Sequence, residues 1–189
     1  MSNSSKQPFV SRNPGRDVQR VGTARVLGQD PTKIYDPVWG VIGNLGDSQC
    51  YIGVTSTNKS QYADLQAAMR NEPLDFIGVD YAIDNRDVEA TILPLAQERK
   101  IGVLVYVPFG RTRLFKRVGD RPVPDFAKQF GAATWGQFFL KYVASHPAVT
   151  CVIPATSKAA NMRDNSAAGV APLPDEKQRA RMREYWNAL

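Results

Sequence analysis

At 189 residues, with 43% apolar and 22% charged side chains, the chain has the size of about one globular domain, and its composition excludes a wholly disordered or collagen-like protein. Its 24 basic and 18 acidic residues leave a net charge of +6, which favours an anionic ligand. The basic residues are dispersed apart from clusters at Arg111–Arg121 and Lys177–Arg183, so no nucleic-acid surface is expected, and the second cluster reads as a solvated helix face.

No apolar run reaches the ~18 residues of a membrane span, and Met1–Gln19 has no signal-peptide core. Cys50 and Cys151 follow neither a metal-binding nor a disulfide-framework spacing, which points to a reducing, cytoplasmic setting. Residues 1–48 carry Pro8, Pro14, Pro31 and Pro37 among scattered glycines and hold no lasting helical or alternating pattern, so this segment is expected to be irregular or disordered. Residues 49–189 are expected to form the folded unit.

Within that unit four Val- and Ile-rich runs read as strands buried on both faces: Cys50–Val54, Asp75–Tyr81, Ile101–Pro108 and Val149–Ile153. Helical patterns separate them. Ser60–Arg70 puts Tyr62, Leu65, Ala68 and Met69 on one face with Ser60 as N-cap, and Arg86–Arg99 does the same with Val88, Ile92, Leu95 and Ala96. After an insertion loop at Arg111–Asp125, Trp135–Val143 turns Trp135, Phe138, Phe139 and Tyr142 inward, and Pro147 marks its exit. Strand and helix in alternation predict a parallel α/β sheet.

Ligands of such sheets sit at the carboxyl ends of the strands. The candidate positions are therefore Thr55 and Ser56, Tyr81–Asn85, Tyr106–Arg111 and Ala155–Asn165. The last strand runs through IPATSKAANMRDN into a helix, where small residues, hydroxyls and Lys158 suit a phosphate at a helix N-terminus. The third ends in YVPFGRTRLF: Tyr106 offers a flat ring, Pro108-Phe109-Gly110 lets backbone pass close to a ligand, and Arg111 and Arg113 could meet a pyrophosphate.

These segments, together with YIGVTSTNKSQY, LDFIGVDYAIDNR and ILPLAQERKIGVLVYVPFG in the same order, resemble the second half of an aldo-keto reductase over about Tyr51 to Leu189. The resemblance implies the last four βα units of an eight-unit (β/α)8 TIM barrel, with NADPH as cofactor and reduction of aldehydes or ketones as the family chemistry. It implies Thr55 and Ser56 at the nicotinamide carboxamide and Tyr106 stacked on the nicotinamide. Phe109, Gly110 and Arg111 would lie along the pyrophosphate, and Thr156, Ser157, Lys158 and Asn161 would cradle the 2′-phosphate. Asp164 and Asn165 would hold the adenine end. Gly78 stands where the family usually carries a carboxamide-binding glutamine.

The family's catalytic aspartate, tyrosine, lysine and histidine come from the first half of the barrel, so the chain is expected to bind the dinucleotide with little or no reductase activity alone. Asp30 and Tyr35 reproduce the spacing of the family's acid, with no lysine or histidine following before Tyr51. His146, the single histidine, is expected to be structural or solvent-facing. No metal site is expected, and Gly40-x-x-Gly43-x-x-Gly46 precedes a strand rather than the helix a phosphate loop needs. Half a barrel would leave its first and fourth strands as open edges, which predicts self-association. A second reading is a truncated or decayed gene product that acts at most as a binding or interaction module.

Overall fold

A computed structural model describes residues 38–43, 50–170 and 172–189. One five-stranded sheet runs in the order β1 (Val38–Gly43), β2 (Cys50–Ser56), β3 (Phe76–Asp80), β4 (Gly102–Tyr106), β5 (Cys151–Val152). Strands β2 to β5 are parallel, as the alternating pattern predicts. Strand β1 is antiparallel to β2 and corrects the expectation of an irregular leader across that stretch. It also corrects the edge assignment, because backbone pairing from Val38 to Gly43 occupies the outer side of the first predicted strand. Asp30, Tyr35 and Gly46 lie outside the described residues.

Helices α1 (Tyr62–Asn71), α2 (Ile92–Arg99), α3 (Arg113–Val118), α4 (Trp135–Ala144), α5 (Ala159–Ala167) and α6 (Glu176–Ala188) complete the fold. Strand alternation sends Val54, Ile77, Val79, Val103 and Val105 into one core with Leu65, Met69, Ile92, Phe138 and Phe139. α1 begins two residues into the predicted Ser60–Arg70 span. Asn58, not Ser60, caps the entry, its side chain accepting from Ser60 N at 3.1 Å and opening a 3₁₀ turn at Lys59–Gln61.

The predicted Arg86–Arg99 helix is two pieces, a 3₁₀ turn at Asp87–Glu89 and α2. Pro94 supplies the reason. Its ring would strike the carbonyl of Ala90 in a continuous helix, whereas in the first turn of a new one its missing N–H costs nothing. The Arg111–Asp125 insertion is likewise not a bare loop: α3 forms within it and buries Leu114 and Val118.

The other face of the sheet is lined by Thr55, Phe76, Gly78, Asp80, Leu104 and Tyr106 through the same alternation. Two aromatic rings lie flat on it. A Cβ on Gly53 would sit 2.2 Å from the Phe76 ring, and one on Gly78 would sit 2.3 Å from Cε2 of Tyr106, so both glycines are required by the ring beside them. Toward β5 this face is open, with Cys151 exposed and Ile153 at 40% exposure.

Candidate functional site

The carboxyl ends of β2, β3 and β4 bring Thr55, Gly78, Asp80 and Tyr106 together. Register pairs Thr55 with Gly78 and Asp80 with Tyr106. The Thr55 hydroxyl lies 2.9 Å from the point a Gly78 Cβ would occupy, with the Tyr106 ring covering the same spot. This is a flat aromatic surface edged by a hydroxyl and a carboxylate. Asp80 Oδ1 is buried without a hydrogen-bond partner, and burial pushes its carboxyl above the usual range, opposed by the charges of Arg111 and Arg113.

Ser56 is not part of this group. Alternation turns it to the helix-covered side, where it is buried and its hydroxyl donates to Asn58 O at 3.3 Å and Gln61 Oε1 at 3.2 Å. Tyr81 also leaves the strand-tip group. It is fully buried, donates to Glu89 Oε1, and has its phenol pushed up by burial.

Beyond Tyr106 the backbone is strained. Val107, Gly110, Arg111 and Thr112 have φ of 52°, 57°, 51° and 74°, a left-handed run that non-glycine residues adopt at a cost of about 1–3 kcal/mol each and that clusters at ligand sites. Arg111 is exposed and unpaired among the described residues. Arg113 is not available for a pyrophosphate. Its guanidinium clamps Asp84 through two bonds, Nη2 to Oδ1 at 3.0 Å and Nε to Oδ2, and Nη1 donates to Gly110 O at 3.1 Å. Phe109 packs against Phe115 with the rings tilted at 51° and their centroids 5.1 Å apart, and it also packs on the core.

Beyond β5, Thr156 Oγ1 accepts from Lys158 N at 3.2 Å, which turns the chain into α5. Lys158 itself occupies the N-cap and makes no side-chain cap bond. Lysine has no acceptor, so the first-turn amides of α5 lack the internal partner that a Ser or Asp would give. Ser157, Lys158 and Asn161 are exposed around this end.

Asp164 is committed elsewhere. Its carboxylate accepts from Thr134 Oγ1 at 2.8 Å and Gln137 Nε2 at 2.7 Å, tying α5 to the N-terminus of α4, where Thr134 caps Gln137 N at 3.1 Å. Asn165 is half-buried beside it.

A polar cleft of about 640 Å³ lies outside the strand-tip group, lined by Arg86, Glu89, His146, Glu176, Arg179 and Arg183 among others. Here the Lys177–Arg183 expectation fails in part. Arg179 is 2% exposed, donating to Tyr81 Oη at 2.9 Å, to Ser145 Oγ at 2.9 Å and to Tyr142 O, with Glu89 at 3.4 Å. His146 accepts from Ala148 N through Nδ1 at 3.2 Å and packs edge-on against Tyr81 at 5.9 Å, with burial pulling its pKa down. Of the two roles expected of it, structural or solvent-facing, these contacts are of the structural kind. The interlocked pairs mark the cleft as a product of helix packing. Among the described residues no His, Cys, Asp or Glu cluster could hold a metal ion, and no helix is long and apolar enough to cross a membrane.

The arrangement at the strand tips can stack a planar ring on Tyr106, place polar groups at its edge, and meet a phosphate near Lys158. The sequence reasoning missed Asp80. The available signal was a lone acid closing an apolar strand run, FIGVD.

The family model for the aldo/keto reductase family matches residues 29–186. An aldo-keto reductase from Bacillus halodurans in its holo form is similar in fold, with a TM-score of 0.55 at 19% identity, over 71% of this chain and 49% of that one. An aldo-keto reductase from Klebsiella pneumoniae in complex with NADPH has a TM-score of 0.52 at 22% identity, over 71% and 47%. Another K. pneumoniae structure, in complex with NADP and acetate, has a TM-score of 0.52 at 20% identity, over the same shares. The chain spans about half the length of these solved structures.

Proposed function

The chain belongs to the aldo/keto reductase family, and from that membership we propose that its strand tips bind NADPH, in the service of the family's reduction of aldehydes or ketones. The observation that carries this reading is the order of features along one sheet edge. Thr55, the Tyr106 ring, the strained 107–112 loop and the uncapped start of α5 stand at the ends of the parallel strands β2, β4 and β5 or just beyond them. Their chemistry matches a nicotinamide, a pyrophosphate and a 2′-phosphate in that sequence. The residues fit the cofactor: the Gly78 position leaves the ring flat, and an acceptor and an unpaired cation stand ready at Asp80 and Arg111. When bound, NADPH supplies a hydride.

Tyr106 would take the nicotinamide face and Thr55 its carboxamide. Gly110 and Arg111, with Phe109 bracing the loop, would follow the pyrophosphate; Thr156, Ser157, Lys158 and Asn161 would take the 2′-phosphate. Asn165 would reach the adenine end, with Asp164 fixing the helix that carries it. In this reading the chain does little carbonyl reduction alone. The family's tyrosine acid belongs to the first half of the barrel, whereas the resemblance here covers the second, and a placed proton donor contributes about 10²–10⁴-fold. Steady-state NADPH oxidation with a panel of aldehydes at the pace of an ordinary reductase would refute that part.

Titrating the folded protein with NADPH tests the binding claim. Saturable change in intrinsic fluorescence together with a raised melting temperature is expected, and neither changing would defeat it. The open inner face and the two-residue edge strand β5 support self-association, which a monodisperse monomer in light scattering would contradict. An exposed, unpaired Cys151 fits a reducing, cytoplasmic setting.

A further inference from the structure

A carboxylate withdrawn from water normally has a partner. Asp80 has none among the described residues: it forms no hydrogen bond or ion pair, and its Oδ1 is buried. It follows Gly78 by two residues and so shares its face, and register sets it beside Tyr106. The polar group expected on this part of β3 is absent at Gly78, and a side chain cannot be restored there while the Tyr106 ring lies 2.3 Å from the Cβ position. The acceptor on that wall is one register step further along, at Asp80.

We propose that Asp80 is the carboxamide anchor of this site, a positioning residue whose carboxylate accepts an N–H of the nicotinamide amide. This rests on the cofactor reading above. An ionised carboxylate only accepts hydrogen bonds, so the anchor selects for a ring substituent that donates. A nicotinamide qualifies, whereas a ring bearing a ketone has the same shape and no donor. Burial of the acceptor sharpens the choice, since a ligand without the N–H leaves it unpaired. Thr55, across the register from Gly78, is placed to serve the amide oxygen with its hydroxyl.

The test titrates the full chain with NADP⁺, its 3-acetylpyridine analogue and adenosine 2′,5′-bisphosphate, read by calorimetry. The wild-type protein should bind NADP⁺ about tenfold more tightly than the acetylpyridine analogue, the size of one charge-assisted hydrogen bond. Asp80→Ala should close that gap and leave the bisphosphate unchanged. Asp80→Asn, whose amide oxygen accepts the same N–H, should restore most of it. An unchanged gap in Asp80→Ala, or no gap in the wild type, overturns the anchor while the cofactor reading stands. If the folded wild-type chain binds neither NADP⁺ nor the bisphosphate, the cofactor reading falls and the anchor falls with it.

Discussion

Arg179 on α6 and Asp80 at the end of β3 are both charged groups withdrawn from water, and the fold provides for them in opposite ways. Around Arg179 stand a carbonyl, two hydroxyls, the carboxylates of Glu89 and Glu176, and the Tyr142 ring at 4.5 Å from its guanidinium carbon. Asp80 shares its face of the sheet with Gly78 and Tyr106 and feels the charges of Arg111 and Arg113, yet its buried Oδ1 has no hydrogen-bond partner. A buried charge met on most sides ties elements together: here α6 to α4 and to the loop after β3, with Nε of Arg179 the one guanidinium nitrogen that has an ion pair but no hydrogen bond. An unsatisfied charge is a standing cost that a folded chain keeps where something else will meet it.

The largest effect that could break this contrast is Arg179→Met. Removing the cation takes the donor from the Tyr142 carbonyl, Ser145 Oγ and Tyr81 Oη and leaves Glu89 with only its two tyrosine hydroxyls. The expected loss is about 3 kcal/mol in urea unfolding, the low end for a broken buried pair, because Glu89 retains 25% exposure. A loss below about 1 kcal/mol would mean the network is not holding the helices together.

Gly78→Ala comes next. Its Cβ would collide with the Tyr106 ring and crowd Thr55 Oγ1, so a cost of about 1–3 kcal/mol is expected from overpacking. NADPH titration should weaken in parallel as the ring is displaced. Unchanged stability and unchanged affinity would show that the ring does not depend on the glycine.

Asp80→Asn should act in the other direction, stabilising the free protein by about 1 kcal/mol at neutral pH by removing an unpaired charge. The sign of its pH dependence follows from linkage. Burial raises the native pKa, so the folded state holds the proton more tightly than the unfolded chain, whose aspartates titrate near about 3.9. Stability therefore falls as pH climbs from that value through the raised native one. The variant should show a shallower decline across the same window in melts at stepped pH, and parallel curves would remove the contrast with Arg179.

The smallest effect is that of Lys158→Ala. The side chain is exposed and its field is screened, so NADPH should weaken only about twofold to fivefold, in the range of a surface charge contact, with NADH unaffected. Equal weakening of both would count against a 2′-phosphate at α5.

Much of the scaffold could be read before folding. Runs of Val and Ile mark β2, β3 and β4 because strands buried on both faces need apolar side chains on successive residues, and Leu65 and Met69 keep the helical spacing that buries them. Strand β1 could not be read, since its pairing with β2 is a long-range choice that no periodicity in a Gly-rich segment announces. The break before α2 was readable in principle from Pro94, whose effect depends on a carbonyl four residues back.

At the site, residue type and chain order located Thr55, Tyr106, Arg111 and Lys158, because a parallel sheet delivers the end of every strand to one side. Which of their neighbours face that side was decided by the pleat and by partners distant in sequence. Ser56 turned to Gln61, Arg113 was claimed by Asp84, and Asp164 by Thr134 and Gln137. The sequence by itself determined the layered α/β architecture and the strand ends that carry polar chemistry, since periodicity and composition are local properties. Only the tertiary structure decided which charges are spent on packing and which remain unpaired, because a hydrogen-bond partner is a neighbour in space.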